Sequence, residues 1–312
     1  MTDIRLGMNT SFALNRYPLT KEWMDIIADD LKIKYVQFYF DLLDPVIIEQ
    51  KVRDEKCYEI REYSKKKGII IQSTATGAIS HQSNFLLHPD KKIRKSFISW
   101  YKKGIYETSL IGSESMGVYV GAFSMADIKN EKRKNQLLDE YVDIMSELSV
   151  YAKQNGLKYL LIEPMSIPRE YPSTIEETKY IYNKLNASSD IPIYLNLDVG
   201  HLNINSSDPA DGDTYAWIRE LLKYSKVLHL QQTKKGASLH AAFTKENNND
   251  GIIDGKKVID EVVKTNIREI YLTMELFFKP IGLNDNIIIS SLKESIDYWK
   301  DIIDTYKSIN QK

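Results

Sequence analysis

Four short runs end in side chains that can hold a cation or move a proton. "KYLLIEP" (158–164) climbs through apolar residues to Glu163 and is stopped by a proline. "IPIYLNLDVGH" (191–201) ends in Asp198 and His201, "KVLHLQQT" (226–233) carries His229, Gln231 and Gln232, and "REIYLTMEL" (268–276) carries Glu275. An unpaired carboxylate at the end of a buried run costs several kcal/mol, so Glu163 needs a cation, a hydrogen-bond shell or water. Glu163, Asp198, Gln231 and Glu275 around one point would be three carboxylates and one amide oxygen. Three crowded anions repel unless a divalent cation sits among them. Hard oxygen donors with open positions suit one Mn2+ or Mg2+ ion, and Co2+ or Zn2+ also fits such a set. Side chains alternate along a strand, so His229 shares the face of Gln231 and is a further candidate donor, while Gln232 points away.

The elements that must position these groups recur along the whole chain. Besides the four runs above there are "IRLGMN" (4–9), "KYVQFYF" (34–40), "GIIIQST" (68–74) and "MGVYVGA" (116–122). Several are nearly continuous apolar runs, as strands covered on both faces are. Between them lie stretches with helical spacing. In "NQLLDEYVDIMSELSVYAKQNG" (135–156), Leu137, Leu138, Tyr141, Ile144, Met145 and Leu148 form one stripe, with Gly156 as the C-terminal cap. Further crossings are "PLTKEWMDIIADDLK", "TIEETKYIYNKLN", "TYAWIRELLKY" and "GKKVIDEVVK". Eight strands alternating with eight helices predict an α/β protein, a single (β/α)8 TIM barrel over residues 1–312 with right-handed crossovers. No G-x-G-x-x-G follows the first strand, which removes the usual mark of a dinucleotide-binding sheet. In such barrels the active site lies at the C-terminal ends of the strands, where Glu163 stands.

Composition narrows the partners. The 312 residues are 43% hydrophobic and 27% charged, ordinary for a globular domain. Lys+Arg 42 against Asp+Glu 43 leaves a net charge of −1, so bulk charge argues for neither nucleic acid nor an anionic membrane. No run reaches the roughly 18 to 20 apolar residues of a membrane span. The opening "MTDIRLGMNTSF" lacks an apolar secretory core, and the single cysteine, Cys57, forbids an intramolecular disulfide. A cytoplasmic enzyme is the expectation, and nothing opposes a homo-oligomer. "SKKKG" (64–68) and "KENNND" (245–250) read as a solvated helix end and a loop.

With these residues in hand, the chain resembles the xylose isomerase-like barrel superfamily of sugar isomerases and epimerases, over essentially its whole length. The resemblance implies metal ligands at Glu163, Asp198, Gln231 and Glu275. The spacing in "LHLQQ" resembles hydroxypyruvate isomerase, where the glutamine binds metal. A closer resemblance lies in "STATG…SNFLLHPD", "VGAFSMAD", "EPMSIPRE", "DVGH" and "HLQQT…H…FT…N…GII", which is similar to the tetrulose-phosphate epimerases and isomerases of erythritol and threitol breakdown. Lys234 and Lys235 depart from it, standing where an acidic residue is expected.

The resemblance implies a sugar or sugar phosphate as substrate, with tetrulose phosphate first, and Glu163 and Glu275 as the catalytic pair. Two carboxyls on opposite faces of a carbon beside a carbonyl would give 3-epimerisation; one shuttling a proton between neighbouring carbons would give aldose–ketose isomerisation. His201 lies where the family places a histidine that polarises a substrate oxygen. Arg169, Lys234 and His240, in loops after strands five and seven, are candidates for phosphate or sugar contacts, as is His229. Tyr39, Phe40, Phe277 and Phe278 are candidates for the pocket wall. An endonuclease IV-like phosphodiesterase would need three clustered metals and more histidines from the early strands than "GMNTS", "QFYFD" and "QSTATG" supply. A non-catalytic sugar-binding barrel would not need the pair Glu163 and Glu275.

Overall fold

A computed structural model describes residues 2–77, 82–279 and 285–310. Eight parallel strands follow one another around a closed barrel in sequence order. They are β1 (Asp3–Asn9), β2 (Tyr35–Tyr39), β3 (Ile70–Ala75), β4 (Ser115–Val118), β5 (Tyr159–Ile162), β6 (Ile193–Asp198), β7 (Ser225–Leu230) and β8 (Glu269–Met274). The helices are α1 (Thr20–Asp25), α2 (Gln50–Lys67), α3 (Lys91–Ile111), α4 (Glu131–Gln154), α5 (Ile175–Asn186), α6 (Thr214–Leu221), α7 (Lys245–Asp250), α8 (Gly255–Lys264) and α9 (Ile288–Asn310). The (β/α)8 expectation therefore holds.

Local chemistry sets the helix ends. The side chains of Asp90, Asn130, Thr174 and Asp254 accept from backbone N–H groups in the first turns of α3, α4, α5 and α8. Gly156, two residues beyond α4, has φ +82°, the left-handed conformation that closes a helix most cheaply with glycine. One reading of the sequence needs correction. "KENNND" is not a loop but α7, because the Thr244 hydroxyl accepts from Asn247 N–H and starts a turn that the asparagine run alone does not favour. It gives the β7–β8 crossing two helices among the described residues.

The chain groups into two compact units. In the unit of Met1–Gln37, Tyr63–Ile70 and Leu197–Lys312, β1 pairs with β2 and β8, and β7 pairs with β8. Its core includes Phe243 stacked on Tyr298 at 5.5 Å and edge-on to Trp299 at 5.1 Å. In the unit of Phe38–Glu62 and Ile71–Asn196, β3 to β6 pair in order. There Phe40 packs edge-on against Trp100 at 5.9 Å, which makes it a core residue. A buried ion pair, Arg53 Nε to Glu107 Oε1 at 2.5 Å, ties α2 to α3 in the same unit. Among the described residues no helix is long and apolar enough to cross a membrane.

Strands β2 and β4 to β8 stop earlier than their apolar runs do. Glu163 is the first residue past β5, Asp198 is the last of β6, Gln231 is the first past β7 and Glu275 the first past β8.

Candidate active site at the strand ends

The geometry starts from β7. Parallel pairing sets Leu230 beside Met274, and Glu275 N–H donates to the Leu230 carbonyl at 3.0 Å. That registers Glu275 against His229 and Gln231. His229 is 1% exposed; its Nδ1 stands 3.0 Å from Glu275 Oε2 and 3.9 Å from Asp198 Oδ2. On the other edge of the ring, Nε2 lies 2.7 Å from Oε1 of Gln37. An amide oxygen only accepts, so Nε2 carries a proton. Nδ1 then faces two carboxylates and needs a positive charge there, either a second proton or a metal ion.

Asp198 is buried, with its Oδ1 accepting from Gly200 N–H at 2.6 Å and from Gln231 Nε2 at 2.9 Å. Its Oδ2 is buried with no hydrogen-bond partner among the described residues. Burial pushes the Asp198 carboxyl up to about 6, against the opposing pull of His240. Burial also pushes the Glu275 carboxyl up, but the imidazoles of His229 and His240 outweigh it and hold this group well below the ordinary carboxylate range. Glu275 is ionised. One ligand atom from each of Glu163, Asp198, His229 and Glu275 lies within 4.8 Å of the other three.

Gln231 sits beside this group with its amide already committed. Its oxygen accepts from His240 N–H at 2.6 Å, which turns the nitrogen toward Asp198. Gly200 makes room for it: a Cβ there would lie 2.6 Å from the Gln231 Cδ, and the bonds to Asp198 and His240 stop the amide from moving away. His240 adopts φ +47°, uncommon for a residue with a Cβ, and its Nδ1 reaches Glu275 Oε2 at 3.2 Å. His201 is buried and meets the His240 ring edge-on at 5.5 Å.

The remaining sequence candidates are held by contacts of their own. Arg169, half-buried in the loop after β5, donates to the Phe123 carbonyl at 3.3 Å. Lys234 forms an exposed ion pair with Asp250 at 2.5 Å and is not brought into the cluster. Gln232 points away as expected, where its amide joins Asn248 and the backbone of Ile253. Tyr39 is buried, and Phe277 N–H donates to the His240 carbonyl at 2.9 Å.

Sequence reasoning passed over two groups. Gln37, in the middle of "KYVQFYF", is the partner of His229, and the available signal was a polar residue inside an otherwise apolar strand. Asn9 ends β1 in register with Gln37; its Oδ1 accepts from Ser11, and its buried Nδ2 has no hydrogen-bond partner among the described residues.

Comparison with known proteins places the chain in a family. The profile described as xylose isomerase-like TIM barrel matches residues 27–307. A D-erythrulose 1-phosphate 3-epimerase of Brucella abortus (strain 2308) is 27% identical over 303 residues, 97% of each chain. A Rhodospirillum rubrum ATCC 11170 structure, provisionally described as a xylose isomerase, matches with a TM-score of 0.89 at 26% identity, covering 96% of this chain and 99% of that one. An L-ribulose 3-epimerase structure shares the fold at a TM-score of 0.72 and 16% identity, over 100% of this chain and 97% of that one. The chain belongs to the xylose isomerase-like TIM barrel family.

Proposed function

We propose that this protein is a divalent-metal-dependent 3-epimerase of a ketose phosphate, with a tetrulose phosphate as the first substrate to try. The observation that carries the reading is the convergence of Glu163, Asp198, His229 and Glu275 donor atoms within 4.8 Å. The orphaned Oδ2 of Asp198 fits a cation at this point, since a buried carboxylate oxygen without a donor is costly unless a positive charge meets it. So does the His229 ring, whose Nδ1 faces carboxylates while Nε2 is held by Gln37. Glu163, Asp198 and Glu275 would supply oxygens, and strand seven the fourth donor. His229 Nδ1 is the better placed of the two candidates there, because Gln231 turns its nitrogen inward. Mn2+ or Mg2+ suits a set dominated by carboxylates. When bound, the ion would act as a Lewis acid on the ketose carbonyl and its neighbouring hydroxyl.

The protein's own groups would do the rest. Glu275, held ionised, takes the proton from the carbon that carries that hydroxyl, and the C–H electron pair moves into the enediolate. Glu163 returns a proton to the opposite face, which inverts the centre. His201 and His240 lie beside the pair and would orient substrate oxygens. Arg169 would meet the phosphate, consistent with the phosphorylated substrate named for the Brucella relative.

Turnover in D2O tests the reading. Two carboxyls that exchange with solvent should place deuterium on the inverted carbon. Transfer of the original hydrogen to the adjacent carbon would instead identify an aldose–ketose isomerase using one shuttling group.

A further inference from the structure

We infer that Gln37, on β2, is the positioning residue that determines which atom strand seven offers to the metal; the inference rests on the metal reading above. Gln37 and His229 are each 1% exposed, so water does not compete for their contact. The Gln37 backbone is pinned, with its carbonyl accepting from Thr10 N–H at 3.1 Å and its Cα in register with Asn9 of β1. The amide oxygen, 2.7 Å from His229 Nε2, is therefore held by paired strands rather than by a loop. It selects the tautomer with hydrogen on Nε2 and orients the ring. The Nδ1 lone pair then points toward Glu275 and Asp198.

A neutral amide suits this task. The cluster already contains the carboxylates of Glu163, Asp198 and Glu275, and a fourth anion behind the imidazole would add to their repulsion. Gln37 fixes the ring without adding charge. It reaches the cluster through His229.

Metal-stripped protein titrated with Mn2+, followed by the electron paramagnetic resonance of the free aqua ion, tests this without any substrate. Gln37→Leu should weaken Mn2+ binding about 10- to 100-fold, the usual effect of losing the group that orients a ligating histidine. The imidazole 14N modulation in the pulsed spectrum of the bound ion should fall with it. In a His229→Ala background, Gln37→Leu should add no further loss, because its effect runs through the ring. Gln37→Met keeps the length and neutrality of the side chain but offers no amide oxygen, and should lose affinity and modulation in the same way, which covers the case in which the leucine variant does not fold. Wild-type binding and modulation in Gln37→Leu or Gln37→Met would overturn the inference while leaving the metal site intact. A wild-type protein that binds none of Mn2+, Mg2+, Co2+ and Zn2+ would overturn both.

Discussion

Replacing Glu275 by Gln separates proton transfer from metal binding. In the structure Glu275 Oε2 serves two imidazoles at once, His229 Nδ1 at 3.0 Å and His240 Nδ1 at 3.2 Å. A glutamine has the same shape, and its single amide oxygen can occupy the Oε2 position, so the cluster should keep its form and a coordinating oxygen. What it cannot do is take a proton. Losing a general acid or base costs roughly 10²- to 10⁴-fold in rate, or about 3 to 5.5 kcal/mol in the barrier. The loss should fall on kcat with KM little changed, because the interaction belongs to the transition state. The assay pairs steady-state turnover of a tetrulose phosphate with elemental analysis of the same preparation. Near-wild-type turnover in a Glu275→Gln enzyme that retains its metal would refute the assignment and reduce Glu275 to a scaffold.

Arg169→Ala should raise KM for a phosphorylated ketose about 10- to 100-fold, the worth of one or two charge-assisted hydrogen bonds, and leave an unphosphorylated ketose nearly unchanged; equal loss on both would make the arginine structural. Away from the site, burial pushes the Glu107 carboxyl up to about 7 despite its contact with Arg53. The folded state therefore keeps a proton that the unfolded chain releases above about 4.5. The resulting stability is fully present below that pH and is lost as pH rises toward 7, by about 3 kcal/mol at most. Urea unfolding at pH 5 and pH 8 should show this fall in the wild type and a flatter dependence in Glu107→Gln; identical slopes would refute it.

Much of the barrel was legible because parallel strands buried on both faces leave long apolar runs such as "KYLLIEP" and "IPIYLNLDVG". The runs overestimated strand length, since the same apolar residues continue past the last ladder bond into the loops that carry the site. Glu163, Asp198 and Glu275 stood out as carboxylates ending apolar runs. The strand-seven donor did not resolve in the same way. Alternation puts His229 and Gln231 on one face, but only the His240 N–H, nine residues on, fixes how the Gln231 amide is turned. Gln37 was hidden for a related reason. Its partner is 192 positions away, and no local spacing reports a contact closed by the barrel. Spacing likewise does not report that Lys234, a candidate phosphate contact in a polar loop, pairs with Asp250, 16 positions on.

The central claim is that a divalent cation belongs among Glu163, Asp198, His229 and Glu275. Elemental analysis after loading with Mn2+ and exhaustive dialysis measures it directly. One metal ion per chain is expected in the wild type. Asp198→Ala should retain almost none, because it removes a buried anionic donor, including the Oδ2 that has no hydrogen-bond partner among the described residues. Equal metal content in the two proteins, or none in the wild type with any of Mn2+, Mg2+, Co2+ and Zn2+, would contradict the account.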